Sequence, residues 1–153
     1  MMAEIEGDFV VFLIGMRVLR PWRLHRALPL ARAMAGMVRE LKRNPPLGCL
    51  AVMPGWPVSV FYWRSYEQLE TWALSPANSH WPAMAAFNAK LVERAGDMGF
   101  WHETYLVRAG QYEAVYTAMP PSGLGAAGRL VPVTAQRAGA RQRLRRGGSF
   151  PEP

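Results

Sequence analysis

The sequence predicts an α+β chain with the ferredoxin-like order β-α-β-β-α-β and an antiparallel sheet. Three observations predict it. Two regions of helical spacing alternate with strand-like runs in that order. The two middle strands are separated only by the turn Pro54-Gly55-Trp56-Pro57. The third and fourth strands carry large apolar side chains on both faces, which a sheet covered on both sides requires.

The first strand is Phe9 to Val18, apolar on both faces as a central strand is. A connection with two prolines and several basic side chains follows. Pro29 suits a first helical turn. Leu30, Met34, Met37 and Leu41 then fall four, three and four apart and make one helical stripe. "NPPLG" ends that helix. Leu47 to Met53 is the second strand, and Val58 to Trp63, "VSVFYW", is the third, rich in β-branched and aromatic residues. Together they predict a hairpin.

Ser65, with Gln68 three residues on, opens the next helix as a capping box. "SPANS" breaks it. A further helix is expected from about Ser79 to Ala95, with the stripe His80, Met84, Phe87, Leu91. The fourth strand is Phe100 to Val107, and a short fifth is expected over Tyr112 to Ala118. The Gly- and Pro-rich stretch from Met119 to Val133 reads as an ordered loop lying on the body. This gives one domain over residues 8–133 and a basic, flexible tail over 134–153.

Both helices cover one sheet face, and a chain of 153 residues has little left for the other. Val58, Val60 and Tyr62 lie opposite Phe61 and Trp63, and Phe100 and Leu106 lie opposite Trp101 and Tyr105. A homodimer whose two sheets close into a dimeric α/β barrel covers both faces.

The formal charge is +7, but from Arg129 onward six arginines face one acid, Glu152, so the body is nearly neutral. No nucleic-acid motif accompanies the tail, and no nucleic-acid partner is expected. Cys49 is the only cysteine, which rules out an intrachain disulfide and a zinc finger and favours the cytoplasm. "FVVFLIGM" is too short to span a bilayer, so no transmembrane segment is expected. "GLGAAG" lacks phosphate-loop spacing, and GxSxG, HExxH and CxxC do not occur. No metal site is expected.

Three ionisable residues are candidates for chemistry. His80 shares its helix stripe with apolar residues and should face the sheet, as a satisfied histidine, a base or a haem ligand. His102 and Glu103 are strand neighbours, so they point to opposite faces and cannot form a dyad with each other. We expect His80 and His102 to line one cavity between helix and sheet. Glu103 would then lie on the barrel side and need a partner such as Arg17 or Arg64. Trp63, Tyr62, Met84, Phe87 and Phe100 supply apolar surface for a substrate.

The segments "FLIGMRVLRPWRL", "YWRSYEQLETWALSP…H", "GFWHETYLV", "GQYEAVYTAMPP" and "GLGAAGRLVP" occur in that order. Over about Phe9 to Pro132 the chain resembles a small monooxygenase-like family of the dimeric α/β-barrel superfamily, whose named type belongs to fungal fumagillin biosynthesis. More distantly it is similar to the antibiotic-biosynthesis monooxygenases, which oxidise aromatic polyketides without metal or flavin. The resemblance implies a homodimeric monooxygenase of secondary metabolism acting on a small hydrophobic, aromatic or polyketide-like molecule. It also implies a choice of cofactor, none or haem. The same superfamily includes haem oxygenases and aldoxime dehydratases, in which a helix histidine, here His80, would be the axial ligand. A third reading is a non-catalytic module that binds a hydrophobic ligand.

Overall fold

The computed structural model describes residues 1–89 and 96–144. The expected continuation of the last long helix to Ala95, with Leu91 on its stripe, lies outside the described residues, as does the tail beyond 144. The elements are β1 (Met2–Glu4), β2 (Phe9–Val18), α1 (Leu28–Arg43), β3 (Cys49–Met53), β4 (Val58–Trp63), α2 (Tyr66–Leu74), α3 (His80–Ala89), β5 (Met98–Val107), α4 (Leu124–Ala127), β6 (Arg129–Val131) and α5 (Ala140–Leu144). A 3₁₀ segment, Pro21–Ala27, joins β2 to α1.

The main sheet has the order β3-β4-β2-β5, antiparallel throughout and not closed. This is the α+β, ferredoxin-like arrangement. A pair of adjacent β-strand residues points to opposite faces, and residues directly opposed across a ladder share a face. The register pairs Ile14 with His102 and Ser59, and Leu13 with Glu103 and Val60. One face therefore carries Val10, Phe12, Ile14, Phe61, Trp63, Phe100 and His102, and the other Val11, Leu13, Val60, Tyr62, Trp101, Glu103 and Tyr105.

Helices α1, α2 and α3 cover the first face. Pro29 sits in the first turn of α1, where its missing N–H costs nothing, and Pro45 follows the helix end. Met37 and Leu41 from the predicted stripe are buried with Val10, Phe61, Trp63, Leu69 and Trp72 in the main core. Each such apolar side chain contributes about 1.5–3 kcal/mol of transfer free energy on burial. Ser65 Oγ accepts a hydrogen bond from the Gln68 backbone N–H at 3.2 Å, which caps α2.

A second core covers part of the other face. Ala3, Ile5, Phe9 and Leu124 are buried there, with Tyr62, Tyr112 and Tyr116 against them. The expected fifth strand over Tyr112–Ala118 is replaced by an irregular stretch that bends at Thr117 and Ala118. It makes one isolated bridge, Met2 to Val115, and backbone bonds on either side of it. The partner it uses is β1, which pairs in turn with β6 in a small separate sheet. Sequence periodicity missed β1 and β6 because three-residue strands are too short to display a period. Tyr112 Oη ties the loop to Ile5, accepting from its N–H at 2.7 Å and donating to its carbonyl at 3.0 Å. Residues 2–5, before the expected body, thus join the second core. Within the expected tail, Arg137 donates to Glu4 at 2.8 Å and Arg143 to Glu113 at 2.7 Å.

The part of that face left open runs over Leu13, Val58, Val60, Trp101, Glu103 and Tyr105. The Trp101 ring lies over Gly15, where a Cβ would stand 2.2 Å from it, so only glycine permits this packing.

The turn before β5 holds Asp97, whose side chain is 1 % exposed. It accepts from Arg20 at 3.3 Å, Arg23 at 3.0 Å and Arg26 at 2.6 Å. Its backbone carbonyl also accepts from Leu19 and Arg20. Burial pushes the Asp97 carboxyl up, but bonds and charge from Arg26 and Arg23 outweigh it and hold the group below the usual carboxylate range. One buried anion thereby fixes the 3₁₀ segment to the sheet.

Candidate active site between the helices and the sheet

Two apolar chambers lie between α1 and the sheet, one of them also walled by α3, with Ile14, Leu30, Met34 and Phe100 in the walls of both. The chamber toward α3 has about 180 Å³ and is lined by His80 and His102 together with Phe12, Trp63, Met84 and Phe87. The chamber toward the β3–β4 turn has about 400 Å³.

His80 begins α3. Its Nδ1 is 2.8 Å from the Ala73 carbonyl oxygen, and its ring stands 5.1 Å from that of Trp72. A carbonyl only accepts, so Nδ1 carries a hydrogen. In the neutral imidazole Nε2 then holds the free lone pair. Glu40 of α1 steadies this helix start. Its carboxylate accepts from the Ser79 backbone N–H at 3.2 Å, from the Ser79 hydroxyl and from Trp72 Nε1 at 3.3 Å. A carboxylate at a helix N-terminus is favoured by the helix dipole and by the unsatisfied N–H groups there. Glu40 was not visible as a site residue in the sequence. Its place three residues after Met37 and one before Leu41 gives no sign of the chain that returns to meet it.

His102 stands on the edge strand β5, on the helix side. Its ring is 5.6 Å from that of Phe12, and it is exposed. Phe100 packs edge-on against Phe87 at 4.7 Å and closes one side of the chamber. Trp63 is fully buried, and its indole N–H has no hydrogen-bond partner among the described residues. An unsatisfied buried donor is costly, and the packed side chains leave this nitrogen no accessible surface.

The structure does not bring Glu103 or Tyr62 to this chamber. Both lie on the other face of the sheet. Glu103 accepts from the Tyr105 hydroxyl, which raises the Tyr105 pKa through that bond and the carboxylate's charge. Neither expected arginine serves it by a described bond: Arg64 donates to the backbone carbonyls of Glu6 and Asp8 instead. Tyr62 packs in the second core beside Gly123.

Among the described residues, no three His, Cys, Asp or Glu side chains gather into a group that could hold a metal ion. No described helix is long and apolar enough to cross a membrane. A family model described as "Monooxygenase af470-like" matches residues 9–124, well over half the chain. No curated protein and no solved structure matches it.

Proposed function

The chain belongs to the Monooxygenase af470-like family, and from that premise we propose that it is a monooxygenase-type oxidoreductase acting on a small hydrophobic, aromatic or polyketide-like molecule. One observation carries the reading. A histidine whose Nε2 is left with a lone pair and a second histidine meet around one apolar chamber walled by Phe12, Trp63, Met84 and Phe87.

The chemistry suits a substrate with an acidic CH₂ beside an aromatic ketone. His80 Nε2 takes a proton from that carbon. The imidazolium that forms on His80 stays beside the enolate and stabilises its charge, which is worth more in a dry site than in water. The carbanion reduces O₂ and forms a C–O bond to it. The hydroperoxide then loses water, leaving a carbonyl. The substrate supplies all four electrons, so CH₂ and O₂ become C=O and H₂O without an added reductant. His102, exposed on the edge strand, exchanges protons between chamber and solvent. The chain's share is deprotonation, positioning and exclusion of water.

Haem on His80 is the competing reading. Nε2 is available, but the chamber facing it has about 180 Å³. That is far less than a porphyrin macrocycle occupies, whereas it is of the order of a small fused-ring aromatic. We derive no step through haem.

The test is turnover of anthrone with isotopically labelled dioxygen. One labelled oxygen should enter the product, and His80→Ala should slow kcat by roughly a hundredfold. Anthrone binding without oxygen consumption would favour the non-catalytic module, and a Soret band in the purified protein would favour haem.

A further inference from the structure

One end of the sheet combines exposed aromatic and aliphatic side chains with basic ones. The register places them together. β2 runs directly into the 3₁₀ segment Pro21–Ala27, and Val18 pairs with Met98 at the start of β5. The N–H of Met16 donates to the carbonyl of Pro57 at 2.9 Å, so the β3–β4 turn lies at this same end. Trp22 of the 3₁₀ segment is 74 % exposed and Trp56 of the turn is 62 % exposed; Leu19, Leu24 and Leu28 are exposed beside them in the chain.

Around these sit Arg20, Arg23 and Arg26. Each commits one terminal nitrogen, Nη1, to Asp97, and their side chains remain 37–44 % exposed. One carboxylate offsets only one of the three charges, so a cationic surplus faces solvent. Tryptophan at a water–lipid boundary and arginine beside it are the side chains that interfaces with anionic bilayers favour. The larger chamber lies at this end too, walled by Trp56, Pro57, Leu30 and Met34.

We propose that this end of the molecule docks on an anionic lipid bilayer. Trp22, Trp56 and Leu24 enter the interface, and Arg20, Arg23 and Arg26 contact lipid phosphates. Docking sets the larger apolar chamber at the membrane surface, where a hydrophobic ligand is most concentrated. Lipid binding is read without turnover, so its failure and the failure of the oxygenase reading are distinguishable.

The experiment is co-sedimentation of the full chain with vesicles of phosphatidylcholine alone and of phosphatidylcholine with phosphatidylglycerol. The expected result is retention on the anionic vesicles, little on the neutral ones, and release at high salt. Trp22→Ser with Trp56→Ser should lower vesicle affinity at least about tenfold with melting temperature and solution mass unchanged. Leu24→Asp alone should also lower it. No retention on anionic vesicles overturns the proposal. Retention that the double variant leaves intact overturns it as well, since the basic C-terminal residues would then be the contact. A wild-type mass that falls in the double variant also overturns it, because a second copy would be what covers the patch.

Discussion

Cys49 shows how far one residue's chemistry depends on packing. It lies across the ladder from Trp63 in the helix-covered half of the sheet. Burial pushes its thiol up to about 12, with a backbone hydrogen bond at Ala51 pulling the other way. The thiolate is the nucleophile, so almost none is present at pH 8. Maleimide should label the folded protein far more slowly than the unfolded one, and rapid labelling of the native state at pH 8 would contradict the burial. Glu40 is the opposite case, a charged residue whose value comes from the backbone and indole donors it serves. Replacing it with alanine strands Trp72 Nε1 and the α3 N-terminus. We expect a loss of about 2 kcal/mol in denaturant unfolding. Because His80 follows Ser79, kcat on an accepted substrate should fall more than KM changes. Glu40→Gln, which keeps one acceptor oxygen, should recover part of both.

At the level of elements, Asp97 makes the sharpest claim. It joins the 3₁₀ segment to the start of β5 through three arginines. Its folded pKa is depressed, so its contribution to stability is complete above the unfolded carboxyl range. That contribution is lost as pH falls through the lower folded value. Asp97→Asn should lower the melting temperature by several degrees at pH 7, and the difference from wild type should vanish in strong acid. An unchanged melting temperature at pH 7 would mean that the arginines are held by something else. The same elements show what could be read in advance. The α1 stripe, the β3–β4 turn and the Ser65 cap were legible because each is local: a helical period, a pair of prolines around glycine and tryptophan, a hydroxyl three residues before an amide. The pairing of β1 with β6 was not, since it joins residues far apart in the chain that carry no period of their own.

For the whole molecule, the uncovered half of the second sheet face matters most. Leu13, Val58 and Val60 are half-buried, while Trp101 and Tyr105 are exposed on the edge strand. We propose a homodimer in which this face meets its copy, with Trp101 and Tyr105 buried between the sheets. Light scattering at micromolar concentration should then give twice the 17.1 kDa chain mass. Tyr105→Arg, at an exposed position, should give a folded monomer. A wild-type monomer would sink the dimer. The ion pairs from Arg137 and Arg143 add a bound on truncation. Removing residues after 144 should cost less than removing those after 134, because only the longer cut takes both pairs away.

The amino-acid sequence by itself determined the β-α-β-β-α-β order of the main body, the α1 stripe and the rule that His102 and Glu103 part company across the sheet. These follow from periods of 3.6 and 2, which a window of a few turns or a handful of strand residues displays. Which of the two residues meets His80 was a different matter. It hung on which face α1 and α3 cover, and the period is the same either way. Only the tertiary structure decided it, by burying Phe61 and Trp63 under the helices and leaving Tyr62 for the N-terminal strand and the loop around Leu124. With that choice made, the β2–β5 register carried His102 to the chamber and Glu103 to the other side.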